Sequence, residues 1–174
     1  SIVGKFFVTP TARLRFSDAA DSSRSFLSEQ GPTVRSGRNG MASLTVGFAD
    51  VRELYPHGAD VAVAVSLNGQ QYHDLGVTFN LYNPTAAPRV NSVRPASGPK
   101  EGGLDVTIHA TNVAKVPTLA CQMLTAAGLT SIPATFVTST MATCTVPPNI
   151  DETGQLQGGD IAITLTNGDL GVGT

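Results

Sequence analysis

Short runs in which apolar and polar residues alternate are the main structural signal along this chain. Apolar side chains occupy every second position over 61–67, 77–82, 106–109 and 161–165. A period of two places the apolar residues on one face of an extended segment, which predicts β-strands buried on one side. Gly, Asn, Asp and Pro bound these runs, and Asn-Gly pairs favour tight turns because both residues tolerate positive φ. The pattern therefore predicts an all-β protein with antiparallel strands.

The composition supports a β fold and narrows the class of partner. Of the 174 residues, 41% are hydrophobic and 14% are charged, and 18 Gly and 11 Pro interrupt the chain too often for long helices. The net charge of −2 argues against nucleic acid as a partner, because neutralising phosphates requires a basic excess. No apolar run approaches the ~18 residues of a membrane-spanning helix, so we expect no membrane insertion by this segment.

Four short segments recur in the same order in the two halves of the chain. The matched pairs are 9–11 with 116–118, 41–46 with 141–146, 65–69 with 163–168, and 75–77 with 170–172. We interpret them as two copies of one β domain, at residues 1–84 and 88–174, joined by a short proline-containing segment. The first copy has no counterpart of 88–107, and the second stops where the strand at 77–82 would recur. We therefore expect the first domain to lack its first strand and the second to lack its last strand.

A set of turn and strand motifs in the second copy carries a family resemblance. A Pro-Ala-Ser-Gly-Pro turn at 95–99 is followed by Gly102-Gly103 and then by a Val-Thr-Ile strand at 106–108. A Cys-Thr-Val-Pro step at 144–147 and a strand ending at Asn167-Gly168 come later. This series resembles an IPT/TIG domain, and it is also close to a filamin-type repeat. The resemblance implies two tandem immunoglobulin-like (IPT/TIG) β-sandwiches arranged end to end, with the glycine pair placed where side chains would collide.

The two cysteines, Cys121 and Cys144, occupy positions that strand parity assigns to buried faces. The first copy has Leu14 and Leu44 at the equivalent positions, which suggests two core sites close to one another. Parity leaves two interpretations open, a disulfide or two buried free thiols that act as small apolar side chains. The resemblance implies the disulfide, because the family often pairs these cysteines. Metal binding is not expected, since no histidine lies at ligand spacing from either cysteine.

A pair of arginines is the candidate partner face. Arg13 and Arg15 share the outward face of one predicted strand, opposite Ala12, Leu14 and Phe16. One interpretation is that an acidic partner docks there, and the resemblance to filamin-type repeats suggests that a partner strand adds to an exposed edge nearby. The other is that the arginines pair with charges on neighbouring strands and protect the sheet from edge association.

No combination of polar residues indicates catalysis. The histidines His57, His73 and His109 are solitary, and no nucleophile or orienting group stands at a recognisable spacing from them. The acidic residues around the glycine-rich stretch 154–159 match no calcium loop, so we interpret them as part of a solvated loop. We expect no enzyme activity, no cofactor and no metal site.

The sequence and its family resemblance lead us to expect a structural or adhesive protein-interaction module in a larger multi-repeat protein. Its partners would be other proteins, including neighbouring repeats of the same chain. The alternatives are accessory immunoglobulin-like domains of a receptor or enzyme, or repeats of an intracellular filamin-like scaffold. Bonded cysteines favour an extracellular or cell-surface location, whereas reduced cysteines favour the cytoskeleton or a cilium.

Overall fold

The fold consists of short β-strands joined by turns. A computed structural model describes residues 2–4, 12–28, 33–36, 42–45 and 50–168 of the chain. These residues form fourteen strands and no helix, which confirms the all-β prediction. The strands are β1 (Ile2–Gly4), β2 (Arg13–Asp18), β3 (Ser25–Leu27), β4 (Thr33–Ser36), β5 (Ala42–Thr45), β6 (Ala59–Ser66), β7 (His73–Leu81), β8 (Arg89–Arg94), β9 (Asp105–Thr111), β10 (Ala120–Thr125), β11 (Gly128–Pro133), β12 (Thr135–Thr138), β13 (Met141–Thr145) and β14 (Ala162–Thr166).

The chain divides into two compact units. Unit 1 comprises Ser1–Leu54 and Asp60–Phe79, and unit 2 comprises Tyr55–Ala59 and Asn80–Thr174. The strands of unit 1 form one sheet in the order β1-β5-β4 and another in the order β3-β2-β6-β7. Those of unit 2 form sheets in the orders β11-β10-β14 and β12-β13-β9-β8. The short segment before β6 therefore belongs to the second unit although it is distant from it in sequence.

The central strands of the second sheet in unit 1 follow the predicted alternation. Leu14 and Phe16 on β2 are buried, and Phe16 stacks on Phe26 of β3 with ring centres 5.0 Å apart. Of the apolar positions predicted over 61–67, those on β6 are buried, whereas Leu67, just after the strand, is exposed. By contrast, Val77 and Phe79 on β7 are exposed. The strand β7 lies at the edge of its sheet. Alternation shows which residues share a face of a strand, but it does not show whether another layer covers that face.

The core of unit 2 is supplied from both of its sheets. Val106 and Ile108 on β9 are buried, as their alternation predicts, and they pack in one cluster with Leu119, Met123 and residues of other strands. The complete cluster is Val106, Ile108, Ala110, Val113, Leu119, Cys121, Met123, Ala142, Cys144 and Leu165. Apolar residues that interdigitate from two facing sheets are the usual core of a β-sandwich.

The glycine pair before β9 has two different roles. Gly102 has φ of +74°, and a Cβ added to it would lie 2.5 Å from the carbonyl carbon of Pro147. Gly103 has φ of +79°, and its N–H donates to the carbonyl of Val146 at 2.9 Å. The predicted collision is therefore confirmed at Gly102, whereas no atom lies near a Cβ at Gly103, where the left-handed backbone itself favours glycine.

Candidate functional sites

The cysteines lie in the middle of the unit 2 core, on opposite sheets. Cys121 is on β10 and Cys144 is on β13, and both side chains are buried. The structure joins them in a disulfide with the Cα atoms 6.5 Å apart and 23 residues apart in sequence. The covalent link connects the sheet β11-β10-β14 to the sheet β12-β13-β9-β8, and β11 and β12 lie within the closed loop. It therefore restrains the two layers of the sandwich with respect to one another.

Asn112 is the centre of a buried hydrogen-bond network at the end of β9. Its side chain accepts a hydrogen bond from the Asn83 N–H at 2.7 Å and donates to the carbonyls of Asn83 at 2.9 Å and Ala86 at 2.6 Å. Its backbone N–H donates to the His57 carbonyl at 2.8 Å. Asn112 is only 2% exposed and has φ of +60°, a left-handed conformation that asparagine tolerates better than most residues. One side chain thus fixes the segment that leads into β8.

Two further asparagines extend this network over the loop after Asn112. Asn167 is buried, accepts from the Ala114 N–H at 2.9 Å and donates to the Asn112 carbonyl at 3.0 Å. Asn80 accepts from the Lys115 N–H at 2.9 Å. The loop is therefore held by side-chain amides that replace the missing backbone partners of its peptide groups.

Asp151 organises the glycine-rich loop before β14. One carboxylate oxygen accepts from the N–H and hydroxyl of Thr153 at 2.9 and 2.6 Å and from the Gln155 N–H at 3.0 Å. The other accepts from the Gln157 side chain at 2.7 Å. These bonds, led by the Thr153 hydroxyl, lower the pKa of Asp151 from 3.8 to about 2. The carboxylate is used within its own loop, which agrees with the interpretation of a structural loop.

The Asp151→Asn variant is expected to lower the thermal midpoint of unit 2 near neutral pH, and to do so less as the pH falls. A folded-state pKa of about 2 against 3.8 means that the ionised carboxylate stabilises the loop above pH 3.8 and that this contribution is lost as pH falls through 2. Thermal unfolding of both proteins from about pH 2 to 7 measures the difference. Asp160→Asn is the matched control, because none of these loop hydrogen bonds involves Asp160. A difference that does not vary with pH would contradict the assignment.

The two arginines of the candidate partner face lie where parity predicted, but they are half-buried. Arg13 and Arg15 alternate on β2 with the buried Leu14 and Phe16. The Arg15 guanidinium carbon lies 4.6 Å from the ring centre of Tyr72, and its Nε is buried without a hydrogen-bond partner. A terminal nitrogen of Arg13 donates to the Ala12 carbonyl at 3.1 Å, so both side chains are restrained by their surroundings.

The register of the sheet identifies the cross-strand neighbours of these arginines. Arg13 lies opposite Ser66, and Arg15 lies between Ala64 on β6 and Leu27 on β3. None of these neighbours is charged, so the arginines do not form cross-strand ion pairs with them. Ala64 and Ser66 are buried, which places the aliphatic parts of the arginine side chains over small residues.

The arginines of the loops behave differently from those of the sheet. Arg24 forms an ion pair with Asp18 at 3.7 Å, and Arg52 forms one with Asp50. Within the described residues, no carboxylate lies within ion-pair distance of Arg13 or Arg15. Since β2 is paired on both sides, the strand edge nearest to this face is that of β3. Tyr72 and Leu27 could not be identified from the sequence. Each belongs to a segment other than that of the arginines, and only the pairing of strands in the sheet brings it close to Arg15.

A cleft of about 570 Å³ opens within unit 2. Val93 of β8 and Ile163 of β14 line it from the two sheets, together with Leu104, Val106, Val146 and Ile161. Lys100 and Asp160 are the ionisable residues in its wall. Among the described strands, β14 pairs with β10 alone.

The sequence matches the family model of the IPT/TIG domain over residues 88–174, half of the chain. The chain belongs to the IPT/TIG domain family. This match confirms the resemblance found in the sequence and the immunoglobulin-like sandwich class. The disulfide, the Asn112 network and the Asp151 loop all lie within the matched residues, whereas Arg13 and Arg15 lie outside them.

One solved structure and the curated proteins complete the comparison. The chain is similar to the plexin A4 full extracellular region, with 11% sequence identity and a TM-score of 0.29. The similarity covers 89% of this chain and 23% of that one, so the chain spans less than a quarter of the length of the solved chain. No curated protein matches the sequence.

The remaining candidate chemistry is dispersed over the fold. His57 lies in the segment before β6, His73 begins β7, and His109 lies on β9. In the part of the chain that the structure describes, no three acidic, cysteine or histidine side chains are grouped as a metal site would require. Over the same residues, no helix is long and apolar enough to cross a membrane.

Proposed function

We propose that this chain is a non-catalytic protein-interaction module of a larger, multi-repeat protein at the cell surface or in the extracellular space. The observation that carries the proposal is the Arg13–Arg15 face, where two restrained guanidinium groups have no carboxylate partner among the described residues. Charged groups that are held on a sheet and form no ion pair within the described residues are suited to recognising another molecule.

The proposal of a non-catalytic module rests on membership of the IPT/TIG family and on the positions of the carboxylates whose pKa values are shifted. Active sites tend to collect groups with shifted pKa values in one cleft. Here the pKa values of Asp21, Asp50 and Asp151 are lowered, and in each the largest cause is a side-chain hydrogen bond from a residue two positions on. Hydrogen bonds within local turns therefore explain the lowered pKa values, and these carboxylates have a structural role.

The extracellular part of the proposal is supported by the disulfide. Buried disulfides persist in oxidising compartments and are rare where thioredoxin and glutathione keep thiols reduced. Reduced cysteines would favour the cytoskeletal or ciliary alternative, whereas the structure joins Cys121 and Cys144 in a disulfide. An accessory domain of a larger receptor fits the same observations.

We also propose the two-copy organisation, with domains at 1–84 and 88–174. Equivalent registers support it. Leu14 of β2 lies opposite the buried Val65 of β6, and Cys121 of β10 lies opposite the buried Leu165 of β14. The strands β6 and β14 are each followed by an Asn-Gly turn in which the glycine has a positive φ. The repeat segments 9–11 and 170–172 lie outside the described residues.

Affinity capture with the chain, followed by mass spectrometry, tests the proposed function. We expect a protein partner whose recovery falls about tenfold or more when Arg13→Glu and Arg15→Glu are combined, since reversed charges repel what the guanidinium groups attract. Arg24→Glu with Arg52→Glu is the control, because it changes net charge equally at loop arginines that already have carboxylate partners. Equal losses in both double variants, or no protein captured by the unaltered chain, would contradict the proposal.

A further inference from the structure

We infer that the Arg13–Arg15 face recognises an extended acidic peptide that carries two carboxylates two residues apart and an apolar side chain beside them. This inference rests on the proposed interaction function and specifies the chemistry of the partner at that site. It is carried by the spacing of the two guanidinium groups, by their restraint, and by the exposed apolar residue next to them.

The spacing of the arginines matches that of an extended chain. Alternate residues on a β-strand point to the same face and are ~6.6 Å apart along the strand. Arg13 and Arg15 occupy two such positions on β2. An extended peptide has the same repeat, so acidic residues at alternate positions present one carboxylate to each guanidinium. Adjacent acidic residues would direct their carboxylates to opposite faces of the peptide.

The guanidinium groups are prepared for binding. Arg15 stacks on Tyr72, and a stacked guanidinium uses its face while its N–H donors remain in the plane. Planar donors match a carboxylate through two parallel hydrogen bonds. Because Arg15 and Arg13 are already held by Tyr72 and by the Ala12 carbonyl, less side-chain entropy is lost on binding.

An apolar residue lies beside the cationic pair. Leu27 is paired with Arg15 in the register of the sheet and is 51% exposed at the strand β3. A partner that covers the face removes Leu27 from water and gains from an apolar side chain at that point. The face thus combines two positive charges with one exposed leucine.

A short acidic peptide suits this face better than a polyanion. A sulfated polysaccharide or a nucleic acid gains affinity from many cations along its length. The face is defined by two guanidinium groups, those of Arg13 and Arg15, and acidic residues such as Asp18 and Asp50 lie in the same unit. The charge of the whole chain is −2, which would repel an extended polyanion.

Titration of the chain with three fluorescent peptides tests the inference. The peptides are Leu-Glu-Ser-Glu-Leu, its glutamine counterpart Leu-Gln-Ser-Gln-Leu, and the rearranged Leu-Glu-Glu-Ser-Leu of the same composition. We expect the first to bind at least about tenfold more tightly than either of the others, with an affinity that weakens as salt is raised. Because these comparisons use the unaltered chain, they do not depend on whether a variant folds.

Variants then locate the site. Arg13→Gln with Arg15→Gln is expected to reduce the affinity for Leu-Glu-Ser-Glu-Leu about tenfold, and Arg24→Gln with Arg52→Gln to leave it unchanged. Equal binding of the glutamate and glutamine peptides, or of the two glutamate arrangements, would overturn the inference. So would binding of heparin in place of the peptide with the same dependence on Arg13 and Arg15. If peptides fail while capture of a protein partner still depends on these arginines, the acidic-peptide inference fails and the proposed function stands.

Discussion

Replacing Asn112 with alanine is expected to lower the free energy of unfolding of unit 2 by about 4 kcal/mol. The change removes three side-chain hydrogen bonds, to the Asn83 N–H, the Asn83 carbonyl and the Ala86 carbonyl. Each buried group that loses its hydrogen-bond partner lowers the free energy of unfolding by about 1 kcal/mol or more. The strain of an alanine at φ of +60° lowers it by about 1 kcal/mol more. For a domain of this size the midpoint should fall by ~20 °C in calorimetry.

The Asn112→Gly variant separates the two causes. Glycine accepts the left-handed backbone without strain, so this variant should lose only the hydrogen-bond contribution of about 3 kcal/mol. Hydrogen exchange provides a local readout, because the Asn83 N–H should lose protection in both variants. A loss below about 1 kcal/mol in both would show that Asn112 does not hold this segment.

Removing the disulfide has the second large expected effect. The Cys121→Ala, Cys144→Ala double variant should lose about 3 kcal/mol, since a link across 23 residues no longer restricts the unfolded chain. Loss of two buried sulfur atoms from the core adds to this, because the cavity is not refilled completely. Denaturant unfolding of the double variant and of the oxidised chain measures the difference.

Thiol labelling provides the control for the cysteine experiment. In the denatured but unreduced chain, Cys121 and Cys144 should not react with a maleimide, whereas both should react after reduction. Reduction alone should lower stability by about the same 3 kcal/mol while leaving the packing atoms in place. Two reactive thiols before reduction would contradict the disulfide and remove the main support for an extracellular location.

Much of the fold was accessible from the sequence because strand parity has a direct physical meaning. Alternation at 106–109 and 161–165 placed the correct residues in the core of unit 2, and the same parity put Cys121 and Cys144 on facing buried positions. The motif around Gly102 identified the family, and a backbone collision explains that glycine. At β7 the alternating apolar residues Val77 and Phe79 are exposed, because alternation shows which residues share a face but not whether that face is covered.

The features that the sequence did not reveal depend on contacts between distant segments. Asn112 binds backbone groups of Asn83 and Ala86, and such side-chain to backbone bonds leave no periodic pattern. Tyr72, which directly precedes β7, contacts Arg15 of β2 because the sheet order β3-β2-β6-β7 places only β6 between those strands, so no local motif could connect the two residues.

The central claim is that this chain binds a protein partner through the face around Arg13 and Arg15. Site-specific photo-crosslinking tests it most directly, with the crosslinker at Leu27, which is exposed on that face, or at Leu129, which is 68% exposed on β11 of unit 2. We predict that the captured partner crosslinks from position 27, that Arg13→Glu with Arg15→Glu abolishes the crosslink, and that position 129 gives none. Crosslinking from position 129 alone would contradict the account.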